Sequence, residues 1–210
     1  MDLWEELKKI EGFLAEAMIW AEDISPEGGG SFTQMERLND ALERATILSR
    51  NALERLQPCV DFPQNGKPAL PEQPVYGTIR RFNGYWLHIR LETLLPHCRF
   101  QVPTYLGDTL ARLLDGFVKG GARLPYYNKA LLVIDEHCDC CSRTVYDQDN
   151  KGWKAVSNAL KGRLFPDDDQ FTLGVALLSS ESNIPCCNIY VLPAEDAEVF
   201  FNLRSGGLLY

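Results

Sequence analysis

Nowhere in the 210 residues is there an uninterrupted apolar run of about 18, the length a membrane-crossing helix requires. The acidic N-terminus has neither the basic segment nor the hydrophobic stretch of a secretory signal. The sequence therefore predicts a cytoplasmic protein with no membrane partner. Histidine is scarce, with three in all, and His88 and His97 lack a matched ligand nearby, which leaves both as structural or surface residues. No glycine-rich phosphate loop, Gly-x-Ser-x-Gly elbow or dinucleotide fingerprint occurs, so the chemistries those motifs support have no foothold here. Positive charge is also in deficit: 21 Lys and Arg against 29 Asp and Glu leave a net charge of −8. Such a balance argues against strong non-specific DNA binding, which needs concentrated positive charge.

The deficit is local. Residues 1–75 carry 7 basic against 14 acidic side chains, and residues 76–210 carry 14 against 15. The C-terminal part keeps arginines such as Arg80, Arg81, Arg90 and Arg112 for a phosphate-facing surface. Seven cysteines in a chain with no export signal do not suggest a disulfide framework. Cys138 and Cys141 have the spacing of half a zinc site, and Cys186-Cys187 is a later pair. Adjacent cysteines on a strand point to opposite sides, however, so buried thiols acting as small hydrophobes account for them better than structural Zn²⁺.

The pattern of apolar residues then divides the chain. Residues 1–57 predict an antiparallel helical hairpin. Leu3, Leu7, Ile10, Leu14, Met18 and Ala21 stripe its first helix, and Ser31 to Gln34 has capping-box spacing at the start of its second. The hairpin carries no clustered polar chemistry, so it reads as a docking or assembly element for a protein partner or a second copy, or as a packing lid. Residues 58–74 are proline-rich and predict a linker. Residues 75–210 predict an α+β domain in which a small mixed β-sheet carries packed helices. Asn83-Gly84 signals a hairpin between strands at 75–82 and 85–92. Alternation on the second strand sets Trp86, His88 and Arg90 on one face, available for base stacking and phosphate contact. Ala130 to His137 predicts a central strand, and 171–178 with 187–192 predict a hairpin.

The chemistry concentrates between Tyr146 and Gln170. Asp147 and Asp149, at i and i+2 in an extended segment, project to one side and can share a ligand. A helix over about 150–161 follows, with Trp153, Val156 and Leu160 on its buried face and Gly162 as its stop. Asp167 to Asp169 come after it. If Asp168 folds back to Asp147 and Asp149, three carboxylates make a hard-oxygen site suited to Mg²⁺ or Mn²⁺. Lys154 would then offset charge on a phosphate. The same residues also suit N-capping, an Asx turn and a solvated turn.

Asp147-Gln-Asp149-Asn150, Lys154-Ala155, Ala159-Leu160 and Asp167-Asp168-Asp169-Gln170, in that order, resemble the signature of the RusA family of Holliday-junction endonucleases. The resemblance covers about residues 85–194. It implies a RusA-like fold, Mg²⁺-dependent cleavage of branched DNA, metal-binding aspartates at Asp147, Asp149 and Asp168, a catalytic lysine at Lys154, and a homodimer. Two features depart from the family pattern. One extra residue separates Asp149 from Lys154, and the arginine cluster usual before the first aspartate is represented by Arg143 alone. With the low isoelectric point, these departures favour an alternative: a catalytically inactive RusA-like binding or assembly protein that docks a partner through its acidic hairpin.

Overall fold

A computed structural model describes residues 3–24, 31–56, 76–97, 103–138 and 151–209. The predicted linker lies outside the described residues. The fold is α+β, with an N-terminal pair of helices, a five-stranded mixed sheet and packed helices. It separates into two compact units, Met1–Pro74 with Pro96–Tyr105, and Val75–Leu95 with Leu106–Tyr210.

In the first unit, α1 spans Leu3–Glu22 and α2 spans Phe32–Leu56. The start of α2 is a reciprocal capping box, in which Gln34 N–H donates to Ser31 Oγ at 3.3 Å and Ser31 N–H donates to Gln34 Oε1 at 2.8 Å. Arg37 lies over the Trp20 ring at 4.7 Å and Arg44 over the Phe13 ring at 5.5 Å. Seven residues forward in α2 thus match seven residues back in α1, so the helices run antiparallel. Ala17, Ala41, Ala45 and Leu48 are buried. The expected α1 stripe is split: Leu7, Leu14 and Met18 are exposed. The apolar arc of α1 is wider than one contact line, and α2 takes only the side bearing Phe13, Ala17 and Trp20. His97 and Tyr105 are tied to α2: His97 N–H donates to Glu43 Oε1 at 2.9 Å and Tyr105 N–H donates to Asn51 Oδ1 at 2.8 Å.

The second unit is built on β1 (Gly77–Phe82), β2 (Trp86–Leu91), β3 (Ala130–Cys138), β4 (Leu173–Glu181) and β5 (Cys186–Pro193), in the order β1-β2-β5-β3-β4. Only the β3–β4 pair is parallel. Asn83 and Gly84 have φ of 48° and 83°, the positive values that the β1–β2 turn requires. The predicted hairpin of the last two strands does not form, because β3 lies between β4 and β5. Ala130 to Ile134 is apolar enough to be buried on both faces, and such a strand gains more from an interior place than from an edge.

Alternation along β3 sends Leu131, Val133 and Asp135 to one face of the sheet and Leu132, Ile134 and Glu136 to the other. The first face is covered by α5 (Ala197–Ser205), entered through a 3₁₀ turn at Ala194–Asp196. There Phe200 packs with Trp86, Val133, Tyr190 and Leu192, and its ring meets Tyr190 edge-on at 5.2 Å. Each such fully buried side chain contributes about 1.5–3 kcal/mol. Helix α3 (Thr104–Lys119) reaches β1: a Cβ on Gly77 would stand 2.9 Å from both Arg90 O and Leu113 Cδ1. Helix α4 (Trp153–Leu160) brings Trp153 beside Ile134 and Leu177.

The aromatic and basic face expected on β2 is overturned. Trp86 and His88 are buried, 0% and 4% exposed, because β2 is an interior strand and α5 covers that side. His88 stacks on Tyr190 at 4.4 Å. Arg80 Nε donates to His88 Nδ1 at 3.0 Å, so Nε2 carries the ring proton and donates to Asn188 Oδ1 at 3.0 Å. Burial, ahead of the Arg80 and Arg90 charges, pushes the His88 pKa down to about 4.

Candidate functional site

Helix α4 joins β3 to the parallel strand β4, and its local sequence fixes what it presents. Val156, Ser157 and Leu160 are buried, and Lys154 is exposed in the first turn. The helix starts at Trp153, later than the pattern suggested, with Gly152 as N-cap and Trp153 N–H bonded to Lys151 O at 2.8 Å. Lys151 and Gly152 precede the first turn, and Lys154 is the second residue of the helix. Gly162, with φ of 74°, lets the chain reverse at the other end, where its N–H donates to Phe165 O at 2.8 Å.

That reversal lays Asp167, Asp168 and Asp169 along α4, each in a different role. Asp168 Oδ2 receives the Lys154 ammonium. Asp168 Oδ1 receives Lys161 at 3.1 Å, and Lys161 also lies 3.3 Å from Asp167. Lys154, then Lys161, hold the Asp168 carboxyl well below the usual carboxylate range, and the same contacts raise the Lys161 pKa. Asp169 shapes the entry to β4. Its Oδ1 accepts from Phe171 N–H at 2.7 Å and Thr172 N–H at 3.1 Å, and its Oδ2 accepts from Thr172 Oγ1 at 2.8 Å. The Thr172 hydroxyl is the main reason its own pKa is lowered.

Of the predicted site residues, Lys154 and Asp168 are brought into contact, while Asp147 and Asp149 lie outside the described residues. The described residues that flank them in sequence are Cys138, at the end of β3, and Lys151. Lys151 Nζ donates to Glu136 Oε2 at 2.6 Å, and Glu136 Oε1 accepts from Leu95 N–H at 2.7 Å. The start of α4 is thereby tied to the carboxyl end of β3, the end of a parallel strand at which ligands commonly bind. A small space beside this pair is lined by Ile134, Trp153 and Leu177.

Two features of this region went unread in the sequence. Lys161 stands seven residues after Lys154, two helical turns on and along the same face, a spacing that signals a shared partner. The other is the neighbouring carboxylates Asp135 and Glu136, both buried, which looked like the end of an apolar strand. Because they point to opposite faces, each needs its own cation. Glu136 has Lys151, and Asp135 has Arg204, whose Nε donates to Oδ2 at 2.8 Å and whose terminal nitrogen donates to Oδ1 at 3.2 Å.

Among the described residues, no group of three or more His, Cys, Asp or Glu side chains is placed to hold a metal ion. Burial raises the Cys186 and Cys187 thiol pKa values, the opposite of what a thiolate ligand needs. No described helix is long and apolar enough to cross a membrane. No family model matches the chain, and no curated protein matches it.

Proposed function

We propose that the protein is a divalent-cation-dependent, structure-selective DNA endonuclease of the RusA type, acting on branched DNA as a homodimer. The observation that supports this reading is the pairing of Lys154 with Asp168, fourteen residues apart. It sets a carboxylate and an ammonium group side by side against the first turn of α4. Asp168 is fit for a hard cation because it is held ionised, as oxygen ligation demands. Asp147, Asp149 and Asp168 would hold Mg²⁺ or Mn²⁺, which when bound activates water and neutralises the attacked phosphate. Lys154 already bears a positive charge at this point and would turn from Asp168 to a phosphate oxygen, while Lys161 keeps Asp168 in place. A twofold pair of such sites suits the symmetry of a four-way junction.

A second reading draws on the same geometry. Both Asp168 oxygens are taken by lysines, which suits a RusA-like protein that binds or assembles without cutting and docks its partner through the acidic helices. Incubation of the purified chain with a labelled four-way junction and Mg²⁺ separates the two. The first reading expects cleavage that is lost in Asp149→Asn and in Asp168→Asn, with circular dichroism unchanged in both. An intact junction under wild-type protein sinks it and leaves the second.

A further inference from the structure

Among the described residues of its unit, one side of the α1–α2 hairpin is packed and another is open. His97 and Tyr105 bond to the side of α2 that carries Glu43 and Asn51. The other side is apolar and exposed. On α1 it presents Trp4, Leu7, Leu14 and Met18, which are 63%, 46%, 46% and 63% exposed. On α2 it presents Met35, Leu42 and Leu53, at 47%, 42% and 40%.

These residues form one surface. Spacings of three, four and seven put each set on a single stripe of its helix. In the antiparallel arrangement fixed by Arg37 on Trp20 and Arg44 on Phe13, both stripes turn to the same side. Leu14 then falls level with Leu42, and Trp4 with Leu53.

We infer that this face is where a second copy of the chain docks, so that two hairpins close into a four-helix bundle. The exposed apolar area of these side chains is on the order of several hundred Å² per copy, comparable with the roughly 800 Å² that each partner buries in a standard stable interface. A face made of two antiparallel helices is suited to a twofold partner, because each stripe can meet its counterpart with no further element. Charge selects the pairing. Helix α1 carries five Glu against two Lys, a net of −3, whereas α2 carries four acidic and four basic residues and is neutral. Packing α1 on α2 of the second copy avoids setting two acidic helices against each other. This inference rests on the hairpin alone and not on the nuclease reading.

Sedimentation of the full chain across a concentration series is the test. The wild type is expected to move from one to two chain masses within the micromolar range. Leu14→Lys with Leu42→Lys is expected to hold it at one chain mass with the same far-UV spectrum and urea midpoint, since both positions are exposed in the monomer. A wild type that stays monomeric throughout overturns the inference and points to a different protein as occupant. A double variant that still dimerises places the contact elsewhere and also overturns it. So does a double variant that loses its fold, because the face must then be covered by the chain itself. Junction cleavage assayed on the same samples reports separately: a wild type that dimerises without cleaving keeps the docking inference and removes the nuclease reading, whereas a cleaving monomer removes the docking inference and the homodimer part of that reading but not its cleavage.

Discussion

Asp135 and Asp168 are both carboxylates gripped by basic side chains from neighbouring helices, and they differ in almost everything else. Asp135 is sealed in the sheet at 0% exposure, against an arginine that is 25% exposed. Asp168 is 13% exposed, and its lysines are 58% and 40% exposed. Arg204 makes a forked contact and also donates to Ser180 Oγ at 2.9 Å and to Ser179 O at 3.2 Å, so one planar group ties β3, β4 and α5 together. Lys154 and Lys161 each offer a flexible point charge that water can replace. The first arrangement suits a structural clamp, and the second suits a group that must change partners.

The comparison is broken most directly at Arg204. Arg204→Leu leaves Asp135 charged and buried and is expected to cost about 3–5 kcal/mol in urea unfolding. A loss below about 1 kcal/mol would erase the distinction. Lys151→Met should cost less, about 1–3 kcal/mol, because Glu136 keeps the Leu95 N–H. The same variant sharpens the functional side, since it releases the start of α4 from β3 and should lower junction cleavage more than it lowers junction binding.

His88 supplies a pH test of the sheet interior. Its pKa is lowered on folding from the ordinary 6.5 to about 4, so the unfolded chain binds the proton more readily. Stability contributed by neutral His88 is complete above about 6.5 and declines as pH falls toward 4. His88→Gln should flatten that part of the stability–pH curve, and an unchanged slope would show that the ring is not held neutral. The smallest effect on stability is expected at Lys161→Ala, within about 1 kcal/mol as for exposed ion pairs. Its mark should instead be a weaker apparent Mg²⁺ affinity in the cleavage assay, as Asp168 loses one of its two supports.

The architecture was legible wherever a local pattern decided it. The Ser31–Gln34 cap, the Asn83-Gly84 turn and the apolar run from Ala130 each produced the element their spacing predicts. Strand order was not legible, because the insertion of β3 between β4 and β5 depends on pairing across long separations. The exposure of β2 failed for the same reason: alternation marks Trp86 and His88 as a second face, but only the position of α5 shows that this face is covered. Within the candidate site, the contact between Lys154 and Asp168 follows from the tight reversal at Gly162. Lys161 was overlooked because it stands at the end of the helix, where a lysine is expected for its charge alone.

The order β1-β2-β5-β3-β4 also bears on how the molecule comes into being. The middle strand, β5, is the last of the five to leave the ribosome. Until about residue 193 has emerged, the nascent chain holds only two separate strand pairs, β1–β2 and β3–β4, each marginal in water on its own. Joining them pairs Leu87 with Val191 across about half of the polypeptide, a slow closure of the kind that leaves sticky edges open to chaperones or to other chains. A premature stop shortly before Cys186 should therefore yield an aggregating fragment, even though four of the five strands would be present.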